Sequence, residues 1–179
     1  MKVLALCGSL RKQSRSLALL QAASILATGR MDFTIFEGLG ELPLFNPDIE
    51  HTAPPSVDAL WHAVSSCDLV IIASPEYAHG VTGTIKNALD WLVGYIPFTG
   101  KPVAVLNPSH RSEHADEALR ETLRTMDARL IHGACLRIPA TGCKLGAMEM
   151  ASSSEFSEPI DSALSAIKDF VAGIENKAS

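Results

Sequence analysis

The sequence predicts a doubly wound α/β protein, a parallel sheet with helices on both faces. Three observations lead there. Short apolar runs alternate with helix-periodic segments through the whole chain. Those runs show little internal alternation, as strands buried on both faces do. The chain has 179 residues with no internal repeat and no linker, enough for one good core. A single domain over residues 1–179 is expected.

Five strands are expected along the chain: Val3–Cys7, Asp32–Phe36, Leu69–Ser74 ("LVIIAS"), Pro102–Leu106 ("PVAVL") and one within Arg129–Ile138. Apolar residues three and four apart mark the helix faces between them. The first face is Leu17, Leu20, Ala23 and Ala27; the second is Val57, Leu60, Trp61 and Val64. The third is Ile85, Ala88, Leu89 and Leu92, and the fourth runs from Ala115 through Leu119 and Leu123 to Met126. The last is Ile160, Ala163, Leu164, Ile167, Val171 and Ile174. The small, polar stretch Thr141–Ser157 reads as a loop.

Bulk properties narrow the function. Hydrophobic residues make up 47% and charged residues 20%, as in globular proteins. A net charge of -5 argues against a nucleic-acid partner. No apolar stretch is long enough to span a bilayer. The N-terminal apolar run is short and meets Arg11 and Lys12 at once, so it reads as a first strand rather than a secretion signal. Cys7, Cys67, Cys135 and Cys143 show no Cys-x-x-Cys spacing, which removes redox-dithiol, zinc-knuckle and iron–sulfur readings. The expected setting is the cytoplasm, with these thiols mostly inert.

In a doubly wound sheet, ligands bind beyond the C-terminal strand ends. After the first strand comes "GSLRKQSRS". Ser9, Ser14 and Ser16 offer hydroxyls, Arg11 offers a guanidinium, and the following helix offers unpaired N–H groups. Phosphate is the natural occupant. A plain serine cap with a solvated Arg11 is the open alternative. The loop is neither a dinucleotide turn nor a P-loop, and Gly38-x-Gly40 runs into Pro43 and reads as a turn.

After the third strand comes "SPEYAHGVTGTIKNALDWLVG". Pro75 fixes the chain's exit, and Gly80 and Gly83 allow close approach of a flat ligand. Backbone N–H groups of Glu76–Gly80 suit the polar edge of a heteroaromatic ring, with Tyr77 beside it or simply half-buried. Glu76 is a weak general-base candidate, and a loop-capping or salt-bridged role is favoured. Lys86 and Asp90 are spaced for a surface pair. After the fourth strand, Ser109, His110 and Arg111 precede a helix. His110 and His114 have a metal-compatible spacing only if both lie on one helix turn, and no third ligand is evident. No metal site is expected.

Together "GSLRKQSRSLALL", "SPEYAHGVTGTIKNALDWLVG", "KPVAVLNPS" and "EGLGELPLFNPDIE" resemble the NAD(P)H-dependent FMN reductases, a flavodoxin-like family with quinone, azo-dye and chromate reductase relatives. The resemblance covers about residues 1–136 and implies a three-layer αβα sandwich with strand order 2-1-3-4-5. It implies that Ser9, Arg11, Ser14 and Ser16 bind the FMN phosphate. Pro75, Glu76, Tyr77, Ala78, His79 and Gly80 would border the isoalloxazine, and Ser109 and Arg111 its other side or the nicotinamide pocket. Many members carry Asn at the positions of Ser16 and Ala78 and Pro at that of Thr82. The shorter Ser16 predicts weaker phosphate binding, and Thr82 a looser turn. The implied activity is ping-pong: hydride from NADPH or NADH to FMN, then electrons to a quinone, a free flavin or a similar acceptor. No dedicated acid or base is required. The alternatives are a flavodoxin-like electron carrier, or a regulator or scaffold that kept the fold. A homodimer or homotetramer is expected, through the helix bearing Trp91 and the helix after Glu113; an exposed Trp91 would mark the interface.

Overall fold

In the computed structural model, the backbone of residues 1–178 and the side chains of residues 1–173 are described. The chain runs β1 (Lys2–Cys7), α1 (Arg15–Leu26), β2 (Asp32–Phe36), α2 (Pro55–Ser66) and β3 (Leu69–Ala73). It continues through a small hairpin, β4 (Glu76–Tyr77) and β5 (Gly80–Val81), to α3 (Gly83–Val93) and β6 (Pro102–Asn107). Then come α4 (Glu113–Thr125), β7 (Arg129–Leu130), β8 (Leu136–Arg137), α5 (Ala147–Ser152) and α6 (Ser154–Ala178). The "GLG" segment is a single 3-10 turn, Gly38–Glu41.

The sheet is parallel, ordered β2-β1-β3-β6-β7, with β8 also paired to β6. With β6 as the fourth strand and β7 as the fifth, this is the flavodoxin-like order 2-1-3-4-5. The fifth strand is not one run. It breaks at a 3-10 turn, His132–Ala134, into two short pieces that pair with β6 in turn. Gly133 sits there because a Cβ would come 3.1 Å from Ala166 of α6.

Strand periodicity divides the interior into two cores. Val3, Ala5, Leu69, Ile71 and Ala73 face Leu19 and Leu20 of α1 and Phe156, Ile160, Leu164 and Ile167 of α6. Leu4, Leu6, Val70 and Ile72 face α2, α3 and α4, through Leu60, Val64, Ile85, Leu89 and Leu123. Sheet residues are therefore apolar at nearly every position, which is why the sequence shows runs rather than alternation.

Two expectations are corrected. The stretch 141–157 is a loop only up to Gly146. The Gly146 N–H donates to Glu149 Oε2 at 2.6 Å, opening α5, and buried Met150 and Phe156 anchor α5 and the first turn of α6. The last helix starts at Ser154 and carries Pro159 inside it. Its expected face holds at Ile160, Ala163, Leu164 and Ile167, while the Ile174 side chain lies outside the described residues. Trp91 is fully buried, not exposed. Its indole N–H donates to the Pro43 carbonyl at 2.8 Å, and its own carbonyl accepts from Trp61 Nε1 at 2.9 Å. Among the described residues, no helix is long and apolar enough to cross a membrane.

Candidate functional site

The strand order reverses between β1 and β3, and a cleft of about 440 Å³ opens beyond their C-terminal ends. Gly8 is its hinge point. Gly8 N–H donates to the Ala73 carbonyl at 2.8 Å, and a Cβ there would lie 2.2 Å from Ser74 Oγ. Only glycine lets the chain leave β1 this close to the end of β3.

The loop after β1 ends in a helix cap. Ser14 Oγ accepts from Leu17 N–H at 3.2 Å, and its carbonyl accepts from Ala18 N–H. The N–H groups of Arg15 and Ser16 stay outside the helix's own hydrogen-bond ladder. Ser14 is thus a serine cap and also lines the cleft. Ser16 lines it too, yet its Oγ is buried without a hydrogen-bond partner. Ser9 Oγ accepts weakly from Arg11 N–H at 3.4 Å, and Arg11 is exposed at the rim. Cys7 lies beneath, where burial pushes its thiol pKa up, and its Sγ faces the Ser9 carbonyl at 3.4 Å.

The second wall is the β4–β5 hairpin. Ala78 (φ 50°) and His79 (φ 60°) both adopt the left-handed region that a two-residue type I′ turn requires. Of the two, His is enriched there among non-glycine residues and Ala is not. Pro75, Glu76 and Tyr77 line the cleft, while Ala78, His79 and Gly80 form the hairpin tip and do not. The Glu76 carboxylate is committed elsewhere. Oε2 accepts from Ala115 N–H at 2.8 Å, and Oε1 lies 3.2 Å from His79 Nδ1. Glu76 thereby caps α4 from another element, in place of Ser112, whose side chain makes no capping bond. Thr82 does not loosen its turn. Its Oγ1 accepts from Ile85 N–H at the start of α3 and pairs with Ser74 Oγ at 3.1 Å.

The third wall lies beyond β6. Buried Asn107 braces it, accepting from Ser109 N–H at 3.0 Å and donating to the Ser112 carbonyl at 3.1 Å. Ser109 lines the cleft; Arg111 does not, and its N–H donates to Ser109 Oγ. His110 precedes α4, so it shares no helix turn with His114. The His114 ring instead meets His79 edge-on at 4.7 Å.

The fourth wall, Thr141–Lys144, is absent from the sequence-based expectations. The Ala140 and Thr141 N–H groups donate to the Pro108 carbonyl, and Arg15 Nη1 donates to the Leu145 carbonyl at 2.7 Å. These bonds fold the loop over the cleft. Its only signal in sequence is a glycine and a lysine in a polar stretch.

The fold and cleft are those of an α/β protein that holds a phosphate-bearing ligand across the topological switch point. The chain belongs to the NADPH-dependent FMN reductase family, whose model matches residues 1–141. It is 36% identical over 132 residues to an NAD(P)H-dependent FMN reductase of Pseudomonas aeruginosa, covering 70% of this chain and 71% of that one. It is 36% identical over 141 residues to a quinone reductase of Pseudomonas putida, covering 74% and 72%. Among solved structures it is similar to FerB, a flavoenzyme NAD(P)H:(acceptor) oxidoreductase from Paracoccus denitrificans. The TM-score is 0.73 at 26% identity, covering 93% of this chain and 97% of that chain.

Proposed function

We propose that this protein is an FMN-dependent NAD(P)H oxidoreductase that passes electrons to a small acceptor such as a quinone. The observation that carries the reading is the capped α1 N-terminus at one end of the cleft. It combines free N–H groups and a hydroxyl without a partner, Ser16 Oγ, in a wall built by family residues. The residues present fit a flavin mononucleotide. Ser9, Arg11, Ser14 and Ser16 would hold its phosphate; Pro75, Glu76, Tyr77 and Ser109 would border its ring. Ala78, His79, Gly80 and Arg111 act through the shape of the two loops rather than by facing the cleft. Bound FMN supplies the two-electron chemistry that takes hydride from NADPH or NADH and hands electrons on. The protein's part is to orient the ring against the hairpin, fix the phosphate and narrow the cleft with loop 141–144. Glu76 is spent on α4, so no side chain in the cleft is placed as a dedicated base.

We read residues 1–179 as one domain in the cytoplasm, where the four free thiols stay reduced. A homo-oligomer is supported by exposed Leu44, Val93 and Ile96 near the end of α3, not by Trp91. Sedimentation at micromolar protein checks it.

The deciding experiment is a fluorescence titration of FMN into apo-protein, followed by NADPH or NADH oxidation with a quinone present. Saturable flavin quenching and steady oxidation support the reading. Absence of flavin binding at tens of micromolar overturns it.

A further inference from the structure

Cys7 closes β1 and is in register with Ala73 of β3. Alternation along the strand puts Val3, Ala5 and Cys7 on the face that α1 covers, so the Cys7 side chain points under the start of that helix. It is buried there between the two ends of the loop that runs from Ser9 to Ser14. Its Sγ lies 3.4 Å from the Ser9 carbonyl and 4.0 Å from Ser14 Oγ. A thiol has one proton to donate. Given to the Ser9 carbonyl, it leaves Ser14 as the donor to sulfur, while Ser14 Oγ still accepts from Leu17 N–H at 3.2 Å. The loop's other side-chain bond, Arg11 N–H to Ser9 Oγ at 3.4 Å, is long and local. Cys7 is therefore the side chain that spans the loop from its first residue to its last.

A second observation, independent of the thiol, points to a ligand over this loop: Ser16 Oγ is buried without a partner and lines the same cleft. A carbonyl that accepts from a buried thiol is turned into the protein. The Ser9–Leu10 peptide is trans, so the Leu10 N–H points the other way. We infer that Cys7 is a positioning residue of this cleft: its S–H turns the Ser9–Leu10 peptide so that the carbonyl faces the core and the N–H faces the flavin phosphate, and its sulfur keeps the Ser14 hydroxyl beside that phosphate. This rests on the flavin reading of the cleft. A Ser9 carbonyl left unturned would set a partial negative charge against a phosphate monoester of about -1.5 to -2 charge. The titratable groups of the surrounding elements are Arg11 and Lys12 of the loop, Arg15 of α1, and Cys143 and Lys144 of the fourth wall, while β3 brings none. Cys7 bonds to none of them. Burial pushes its thiol pKa up, so it stays protonated and donating at neutral pH.

The test is a fluorescence titration of apo-protein with FMN and with riboflavin, which lacks the phosphate, for wild type, Cys7→Ala and Cys7→Ser. Cys7→Ala should weaken FMN about two- to tenfold, as loss of one neutral hydrogen bond does, and leave riboflavin unchanged. Cys7→Ser keeps a donor for the Ser9 carbonyl and should recover most of the loss. Wild-type affinity for FMN should hold below the raised thiol value and fall as pH rises through it, since a thiolate cannot donate and lies beneath the phosphate's charge. Cys7→Ser should lack that alkaline limb. Equal FMN affinity in wild type and Cys7→Ala overturns the inference. Equal losses for FMN and riboflavin overturn it too, by making Cys7 a packing residue only, and so does the same alkaline limb in wild type and Cys7→Ser. Wild-type protein that binds no FMN at tens of micromolar is a different result: it overturns the flavin reading, and this inference falls with it.

Discussion

Ser16→Ala should change two properties in opposite directions. Ser16 is 1% exposed, and its Oγ has no hydrogen-bond partner. A buried polar group left unpaired costs about 1–3 kcal/mol. Removing the hydroxyl from apo-protein removes that cost and leaves only a small change in packing, so the apo-protein becomes more stable by about 1 kcal/mol. On the proposed reading the phosphate of FMN is the missing partner, and a hydrogen bond to a charged group is worth about 1.5–3 kcal/mol. FMN affinity therefore falls by about 10- to 150-fold. The urea midpoint of apo-protein and the fluorescence-quenching Kd for FMN measure the two effects. Unchanged FMN affinity in a stabilised variant would show that the hydroxyl never meets the phosphate. A destabilised apo-protein would show that Ser16 Oγ is satisfied in solution, and the reasoning would fail at its first step.

Other substitutions probe the walls of the cleft. Gly8→Ala drives a Cβ into Ser74 and Ile85 and should destabilise by about 1–3 kcal/mol, read from thermal or urea unfolding. Ala78→Asn puts a residue that tolerates the left-handed region at φ 50° and should stabilise by about 0.5–1 kcal/mol, without loss of FMN binding. Burial pushes the Cys7, Cys67 and Cys135 thiol pKa values up, whereas Cys143 is only half-buried. A raised thiol pKa stabilises the fold fully below the unfolded value, about 8.5, and that contribution is lost as pH rises through the folded value. The urea midpoint should fall over that alkaline range, less steeply in Cys67→Ala, and a thiol reagent at neutral pH should label Cys143 first.

Most of the fold was legible because the strands are two-sided. Runs such as Leu69–Ala73 have no other place than a sheet covered on both faces, and β2 is legible from its bounds alone. The fifth strand was less legible, because its break at Gly133 answers to Ala166 on α6, a contact far along the chain. The helix at Ala147–Ser152 was hidden for a similar reason. The serines at and just beyond its end, Ser152, Ser153 and Ser154, favour loops locally, and burial of Met150 decides the matter. At the site, residue type pointed to cleft-lining positions after β1 and β3: Ser9, Arg11, Ser14, Ser16, Pro75, Glu76 and Tyr77. The fourth wall was not legible, since backbone bonds to Pro108 and from Arg15 place it there. Thr82 shows how a departure from the family pattern can be compensated, because its hydroxyl supplies an N-cap that proline lacks.

Glu76 is where sequence and structure must be separated by experiment, since a carboxylate beside a flavin invites a role as base. The geometry gives it a different one. It is the non-local cap of α4, 2.8 Å from the Ala115 N–H, and its other oxygen holds His79 within the hairpin, whose ring meets His114 of α4 edge-on. Glu76→Gln keeps an acceptor for Ala115 and loses only the charge facing the helix N-terminus, about 0.3–1 kcal/mol. Glu76→Ala loses the cap outright, about 0.5–2 kcal/mol. Stability should therefore fall in the order Glu, Gln, Ala, and FMN affinity should fall with it as the hairpin loosens. The pH profile of kcat/KM should keep its shape in Glu76→Gln, because a cap donates no proton to the reaction. Loss of the profile's acidic limb in that variant, with stability near wild type, would make Glu76 the base and overturn the assignment. The two roles predict opposite pairings of stability and pH profile, so one conservative substitution decides between them.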